Sequence, residues 1–200
     1  MKKILILFAH PAFQKSRVNK HLLKDVPQLE NVTFHDLYEH YPVFDIDVSH
    51  EQQLLIQHDI VIFHHPFFWY STPAILKEWQ DLVLEHNWAY GSKGTALKGK
   101  YFFNVLTSGG GADAYTKEGY NGITIRQLLA PIEQTAKLCK MIFLPPYMVH
   151  STHNITPELL SKHNKEYLWL LQHLRDESIT LEDVSKLNYF NDYINHKYKE

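Results

Sequence analysis

A single cysteine in 200 residues, Cys139, rules out an internal disulfide and fits a reducing compartment. Glycine is scarce too, and its 8 positions assemble neither GxGxxG nor a P-loop, so both nucleotide fingerprints of fixed spacing are absent. The acidic ribose-reading position that accompanies the first is missing with it. No apolar run approaches the roughly 18 residues that a membrane span needs, and the apolar stretch near the start has the length of a strand rather than of a signal peptide. Charge of one sign is lacking as well: 20 Lys and Arg against 22 Asp and Glu leave a net −2, with no basic field for nucleic acid. There is no GxSxG elbow and no HExxH. The 14 histidines show no metal-ligand spacing, His64 and His65 being adjacent and pointing to opposite faces of a strand end, and most of the 14 read as surface residues. The expectation is a soluble, cytoplasmic, metal-free protein of ordinary domain size.

What is present is organised around Asp59 to Leu82. Asp59 to Phe63 is a β-branched and aromatic run without polar alternation, the pattern of a parallel strand covered on both faces. Pro66 stops the ladder, Phe67, Phe68, Trp69 and Tyr70 follow, and Ser71-Thr72-Pro73 reads as a helix entry with a hydroxyl cap and a first-turn proline. Ile75, Leu76, Trp79, Leu82 and Val83 then form one apolar stripe.

Lys3 to Ala9, Asn31 to Leu37, Lys100 to Thr107 and Met141 to Leu144, closed by Pro145-Pro146, complete a set of five strands. Between them run a helix capped by Ser16 and ending before Pro27, a short helix from Glu51 capped by Ser49, and a helical stretch over Ile123 to Leu138 that Pro131 kinks or starts. Tyr41 to Asp47 reads as loop. Thr156 and Pro157 open a further helix through Leu174, and Ile179 to Tyr198 has moderate helical character. Strands alternating with helices imply an α/β doubly wound sheet of five parallel strands with helices on both faces, which binds ligands at the carboxyl ends of its strands near the switch point.

Three strand-end loops are chemically unusual. The first carries His10 and Ser16; the serine either caps its helix or helps to hold a phosphate there, and His10 is a ligand contact or a structural residue. In the second, four adjacent rings cannot all be core, so some face a flat ligand or a dimer contact. The third, Thr107 to Gly111, lets backbone amides approach a ligand because glycines remove the side chains. Phosphate cap, aromatic loop and open amides at one sheet edge fit a flavin mononucleotide portion, its ring between the second and third loops.

With these residues in place the sequence resembles the flavodoxin-like NAD(P)H:quinone oxidoreductases, and within them the ancillary subunits of glutathione-regulated potassium efflux systems. The carrying motifs are FAHP at Phe8 to Pro11 with Ser16 and Asn19, HPFFWYSTPAILKEW at His65 to Trp79, WAYG at Trp88 to Gly91, TSGGG at Thr107 to Gly111 and LPP at Leu144 to Pro146. The resemblance implies a flavodoxin-like flavin-binding domain over residues 1–176 and a C-terminal helical tail over 177–200. It further implies a homodimer with the active site at its interface, and ping-pong hydride transfer from NAD(P)H through flavin to a quinone or similar electrophile. By matching motifs, His10, Ser16, Arg17, Val18 and Asn19 surround the phosphate, while Phe67, Phe68, Trp69 and Tyr70 with Thr107, Ser108, Gly109 and Gly110 hold the ring. Tyr115 stabilises charge developing on the flavin. Asn121 stands where animal relatives carry histidine, and Phe68 where many relatives carry glutamine; neither can reproduce the chemistry of the side chain it replaces. FMN is the expected flavin; FAD is the alternative, with the long loop from Asn87 available to an adenosine. A second reading is a regulatory subunit bound to a membrane potassium efflux protein, peripheral at the inner face of the cell membrane. A third is a dimerising electron carrier.

Overall fold

Apolar runs become strands buried on both faces, and the helices between them are the covers that this burial requires. A computed structural model describes residues 1–184 and 186–198. In chain order, β1 (Ile4–Phe8), α1 (Arg17–Leu23), β2 (Val32–Asp36), α2 (Leu37–His40), α3 (Val48–Gln57), β3 (Ile60–Pro66) and α4 (Ala74–Val83) form the first half. The second half holds β4 (Tyr101–Thr107), α5 (Ile125–Leu128), α6 (Ala130–Leu138), β5 (Ile142–Phe143), β6 (Tyr147–Val149), α7 (Pro157–Arg175), α8 (Leu181–Val184) and α9 (Phe190–Lys197). The sheet runs β2-β1-β3-β4-β5, every pairing parallel, and β6 also pairs with β4. The order reverses between β1 and β3, which places the switch point at the ends of those strands.

Alternate residues of each strand feed two cores. Ile4, Ile6 and Phe8 pack with Val18 and Leu22 of α1, Leu170, Leu171 and Leu174 of α7, and Phe190 and Ile194 of α9. Leu5, Leu7, Val61 and Phe63 pack with Leu55 of α3, Ile75, Leu76 and Trp79 of α4, and Ala136 of α6. Each of the larger aliphatic and aromatic side chains contributes about 1.5 to 3 kcal/mol when fully buried, so the sheet is clamped from both sides.

Several local readings change in the structure. β3 continues through His64 and His65 to Pro66, which pairs with Thr107, so the strand does not end at Phe63. Both histidines are fully buried, and His10, His35 and His58 are buried as well; with only His40, His50, His86, His153 and His196 exposed, the histidines are not mostly surface residues. Proline lacks only the donor, and at the last rung of a strand that loss is small. The fifth strand does not close at Pro145-Pro146. It resumes as β6, and between the pairs Phe102↔Phe143 and Val105↔Tyr147 it advances four residues against three on β4. The prolines form a bulge, the form in which a ladder tolerates missing N–H groups.

Helix starts shift for related reasons. α3 is capped by Asp47, whose carboxylate accepts from His50 N (2.9 Å), and not by Ser49, which lies inside the helix. α4 begins after Pro73 with no side-chain cap from Ser71 or Thr72. Leu82 is 39% exposed, so the buried stripe of α4 is Ile75, Leu76, Trp79 and Val83. Pro131 lies in the first turn of α6, of the two readings the true start. α1 stops at Leu23, and Pro27 sits in a separate turn of 3-10 helix over Val26–Gln28. Leu37 opens α2, a turn of helix capped by Asp36, instead of ending the strand.

Candidate functional site

At the carboxyl ends of β1, β3 and β4 the three unusual loops meet around a cleft of about 390 Å³. His10, Ser16, Asn19, Phe68, Thr107 and Gly109 line it, together with Arg17, Val18 and Phe67. Lys15, Thr152 and His153 complete its wall.

Ser16 caps α1 in extended backbone conformation, and its Oγ accepts from Asn19 N (3.3 Å) and Asn19 Nδ2 (3.0 Å). With both lone pairs engaged, the hydroxyl proton is left to turn outward as a donor. Asn19 is itself held from below. Its Nδ2 also donates to Thr107 Oγ1 (3.3 Å), and its Oδ1 faces His64 Nε2 at 3.0 Å. That oxygen can only accept, so His64 carries its proton on Nε2 and accepts from Tyr167 OH (3.3 Å) at Nδ1. Burial, with the neighbouring His65 and His10 adding to it, pushes His64 down to about 3 and keeps it neutral. A buried relay from α7 to α1 therefore sets the orientation of Ser16. His10, nearly buried, accepts from Ala12 N (3.1 Å) at Nδ1, and burial lowers its pKa, leaving a neutral ring with Nε2–H as donor.

The second loop separates its rings. Phe67 is buried with Leu106, Ile125, Leu129 and Met148, while Phe68 and Tyr70 are about half exposed and Trp69 is 93% exposed. A tight turn closes with Ser71 N donating to Phe68 O (2.9 Å), and both central residues, Trp69 (φ 51°) and Tyr70 (φ 63°), are left-handed. Such turns ordinarily take Asn or Gly, so two aromatic residues here hold local strain of about 1 to 3 kcal/mol each. Tyr70 OH donates to Asn121 Oδ1 (3.0 Å). Asn121 thus meets Tyr70, and the two lie beside the cleft rather than in its wall.

In the third loop Ser108 N donates to Val149 O (2.9 Å), tying the glycines to β6. A Cβ at Gly109 would stand 2.7 Å from His153 Nε2, and one at Gly110 would stand 3.1 Å from the Tyr115 ring. A side chain at either position would have to push His153 or Tyr115 aside, and among the described residues the amides of Gly109 and Gly110 meet no acceptor. Tyr115 lies against Phe67 (6.2 Å between centroids) and His150 (5.9 Å). Burial and then the neighbouring Tyr70 raise its pKa, so its hydroxyl stays protonated.

The sequence reading missed His64, Lys15, His150, Thr152 and His153. The last three follow β6, a strand that the pattern hides because Pro145-Pro146 reads as the end of the ladder. Ser108 Oγ donates to Gly110 O (3.0 Å) and so accepts from His150 Nδ1 (3.1 Å), which makes His150 a support of the glycine loop.

A family model described as a flavodoxin-like fold matches residues 2–171. The chain is 47% identical over 176 residues to the glutathione-regulated potassium-efflux system ancillary protein KefG of Pectobacterium carotovorum subsp. carotovorum (strain PC1), covering 88% of this chain and 96% of that protein. The solved structure of general stress protein 14 from Treponema denticola, in complex with FMN, is similar at a TM-score of 0.82 and 38% identity, over 86% of this chain and 99% of that one. An NADPH-quinone reductase from P. pentosaceus gives a TM-score of 0.77 at 32% identity, over 86% and 97% of the two chains.

Proposed function

This chain belongs to the flavodoxin-like fold family, and on that premise we propose that it is an FMN-dependent oxidoreductase passing hydride from NAD(P)H to a quinone or similar electrophile. The observation that carries the reading is the pairing, in one cleft, of a donor-only anion end with a flat, amide-lined end. The residues fit a flavin mononucleotide on that ground. At the first end the outward Ser16 hydroxyl and the first-turn amides of Arg17 and Val18 offer hydrogen bonds to a phosphate, and Lys15 and Arg17 supply charge. Arg17 is oriented by its Nη2, which donates to Ile155 O (2.9 Å). At the other end the Gly109 and Gly110 amides, which meet no acceptor among the described residues, offer donors to the polar edge of a ring system. The FMN in the similar stress protein favours the mononucleotide over FAD.

When bound, the flavin supplies the two-electron chemistry. The protein holds, orients and shields. His10 presents Nε2–H to the cleft, Phe68 and Phe67 wall the ring from water, and Thr107 and Ser108 set the height of the glycine loop. Tyr115, protonated at neutral pH, is the donor we assign to negative charge developing at the ring edge. In this reading Asn121 fixes Tyr70 through its hydrogen bond and takes no proton itself. The half-exposed Phe68 would border the place where nicotinamide and quinone have to enter. Trp69 is exposed enough to cover that place from a second copy of the chain, and the homodimer belongs to this proposal.

A second reading has its own support: the relative that is 47% identical is named an ancillary protein of a potassium-efflux system. Regulation of a membrane protein and turnover are compatible in one molecule. Among the described residues no helix is long and apolar enough to cross a membrane, so contact with such a partner would be peripheral.

Anaerobic titration of the purified protein with NADPH, followed by addition of a quinone, tests the enzyme reading. Bleaching of the flavin band and its recovery are expected. A flavin that NADPH leaves oxidised would leave the ancillary role as the better reading. Failure to take up FMN at all would overturn the assignment of the cleft.

A further inference from the structure

Away from the cleft's wall, on the face covered by α3 and α4, a second group of polar side chains converges from two elements distant in sequence. His35 lies on β2, and His50 and Glu51 lie in the first turns of α3. Donor atoms of these three residues all fall within 4.8 Å of one another. Glu51 is fully buried yet well supplied: Oε1 accepts from His35 Nε2 (2.7 Å) and Tyr41 OH (2.6 Å), and Oε2 accepts from Trp79 Nε1 (2.7 Å). Those contacts alone would make a satisfied structural carboxylate.

They do not explain His50. This imidazole is exposed, belongs to no ion pair among the described residues, and sits with its ring 5.9 Å from that of buried His35. His40 lies against His35 with the rings tilted and their centroids 4.1 Å apart, and its Nδ1 is anchored to Asp36 O (2.9 Å). An oriented imidazole, a carboxylate fixed from behind by a tyrosine and a tryptophan, and a second imidazole on the solvent side reproduce the logic of a metal centre. Outer hydrogen bonds aim the ligands, and one side stays open for entry.

We propose that His35, His50 and Glu51 form a binding site for a divalent ion of the zinc class, with water in the fourth position. The donor set decides the class, because two imidazole nitrogens with one carboxylate oxygen suit zinc, nickel or cobalt and not magnesium or calcium. Tetrahedral ligands at about 2.0 to 2.1 Å from an ion stand roughly 3.3 Å apart. Occupation therefore opens the 2.7 Å contact between His35 Nε2 and Glu51 Oε1 slightly and draws His50 inward. The proton on His35 Nε2 leaves to solvent as the ion replaces it, and no electrons move. The bound ion ties the edge strand β2 to the start of α3, beside the groove lined by Asp36, Tyr38 and Glu39 that adjoins the cleft.

The test uses the full chain after chelator treatment, titrated with Zn²⁺ by calorimetry and with Co²⁺ by visible absorption. One equivalent is expected to bind, Co²⁺ giving the intense bands of tetrahedral coordination. His50→Ala is expected to weaken binding at least tenfold. Because His50 is exposed, this variant keeps the fold, and unchanged flavin content serves as the check. The same titration on His196→Ala, an exposed histidine of α9, is expected to match the wild type. Binding that is absent, or that both variants weaken equally, would overturn the site and reduce the cluster to a structural hydrogen-bond network.

Discussion

Under the proposed function, Trp69 concentrates the conflict between stability and activity in one residue. It is held at φ 51° with 93% of its surface exposed, so it contributes strain and almost no burial. Asparagine tolerates the left-handed region without the entropic cost of glycine. Trp69→Asn is therefore expected to stabilise the fold by about 1 kcal/mol, or roughly 2 to 4 °C in Tm. The same change is expected to weaken FMN binding or quinone turnover, because it removes an exposed ring beside the cleft. Thermal melts of the flavin-free variant paired with quinone-dependent oxidation of NADPH check both halves; a variant less stable than wild type would show that the turn is not strained. The positions of Ser16 and the glycines were legible from composition, since a cap hydroxyl and absent side chains announce themselves. The strain at Trp69 was not, because a left-handed φ leaves no mark when the residue is aromatic. Nor was His64, whose role depends on Asn19 and Tyr167 arriving from elements distant in sequence. His35 and Glu51 escaped notice for the same reason, being brought together by pairing and packing rather than by spacing.

Among the elements, caps and breaks decided where the sequence was readable. Both Asp47 and Ser49 are competent cap residues, and the pattern alone does not rank them. Asp47 is the residue with extended backbone and a carboxylate on the His50 amide, whereas Ser49 already lies in the helix. Asp47→Ala is expected to destabilise by about 1 kcal/mol and Ser49→Ala by less than about 0.5 kcal/mol, measured by urea denaturation. Equal effects would show that the helix start is shared. The fifth strand teaches the opposite lesson. Pro145-Pro146 carries a strong signal of termination, and it does interrupt the ladder, yet Tyr147, Met148 and Val149 regain partners on β4. Three apolar residues are too short a run to announce a strand, so their pairing comes from the tertiary frame. With β6 hidden, the segment that brings Thr152 and His153 to the cleft and His150 to the glycine loop stayed hidden too.

Over the whole molecule, the buried imidazoles tie folding to pH. In the fold, burial and then the nearby His65 and His10 hold His64 down to about 3, and burial holds His65 down to about 4; unfolded histidine titrates near 6.5. Above pH 6.5 both states carry neutral rings and stability is independent of these groups. As pH falls below that value the unfolded chain binds protons that the fold refuses, so the unfolded state gains. Stability is thus fully present above about pH 6.5 and is lost as pH drops, by about 1.4 kcal/mol per pH unit for each histidine, until the folded pKa is reached. Burial also lowers His10, His58 and His150, which lean the same way. The carboxylates Glu51 and Glu166, where hydrogen-bond partners outweigh burial and leave the pKa below its usual value, respond only at lower pH. Between pH 7 and pH 5 the imidazoles therefore dominate, and urea unfolding is expected to show a loss of about 3 to 4 kcal/mol. His64→Gln weakens the fold at pH 7 by disturbing the relay to Asn19, yet it removes one of the protons that drive the loss. Its stability is expected to fall with pH less steeply than that of the wild type, by about 1 kcal/mol per unit averaged over this window. An unchanged slope would mean that His64 is protonated as readily in the fold as outside it, and the neutral relay that orients Ser16 would have to be abandoned.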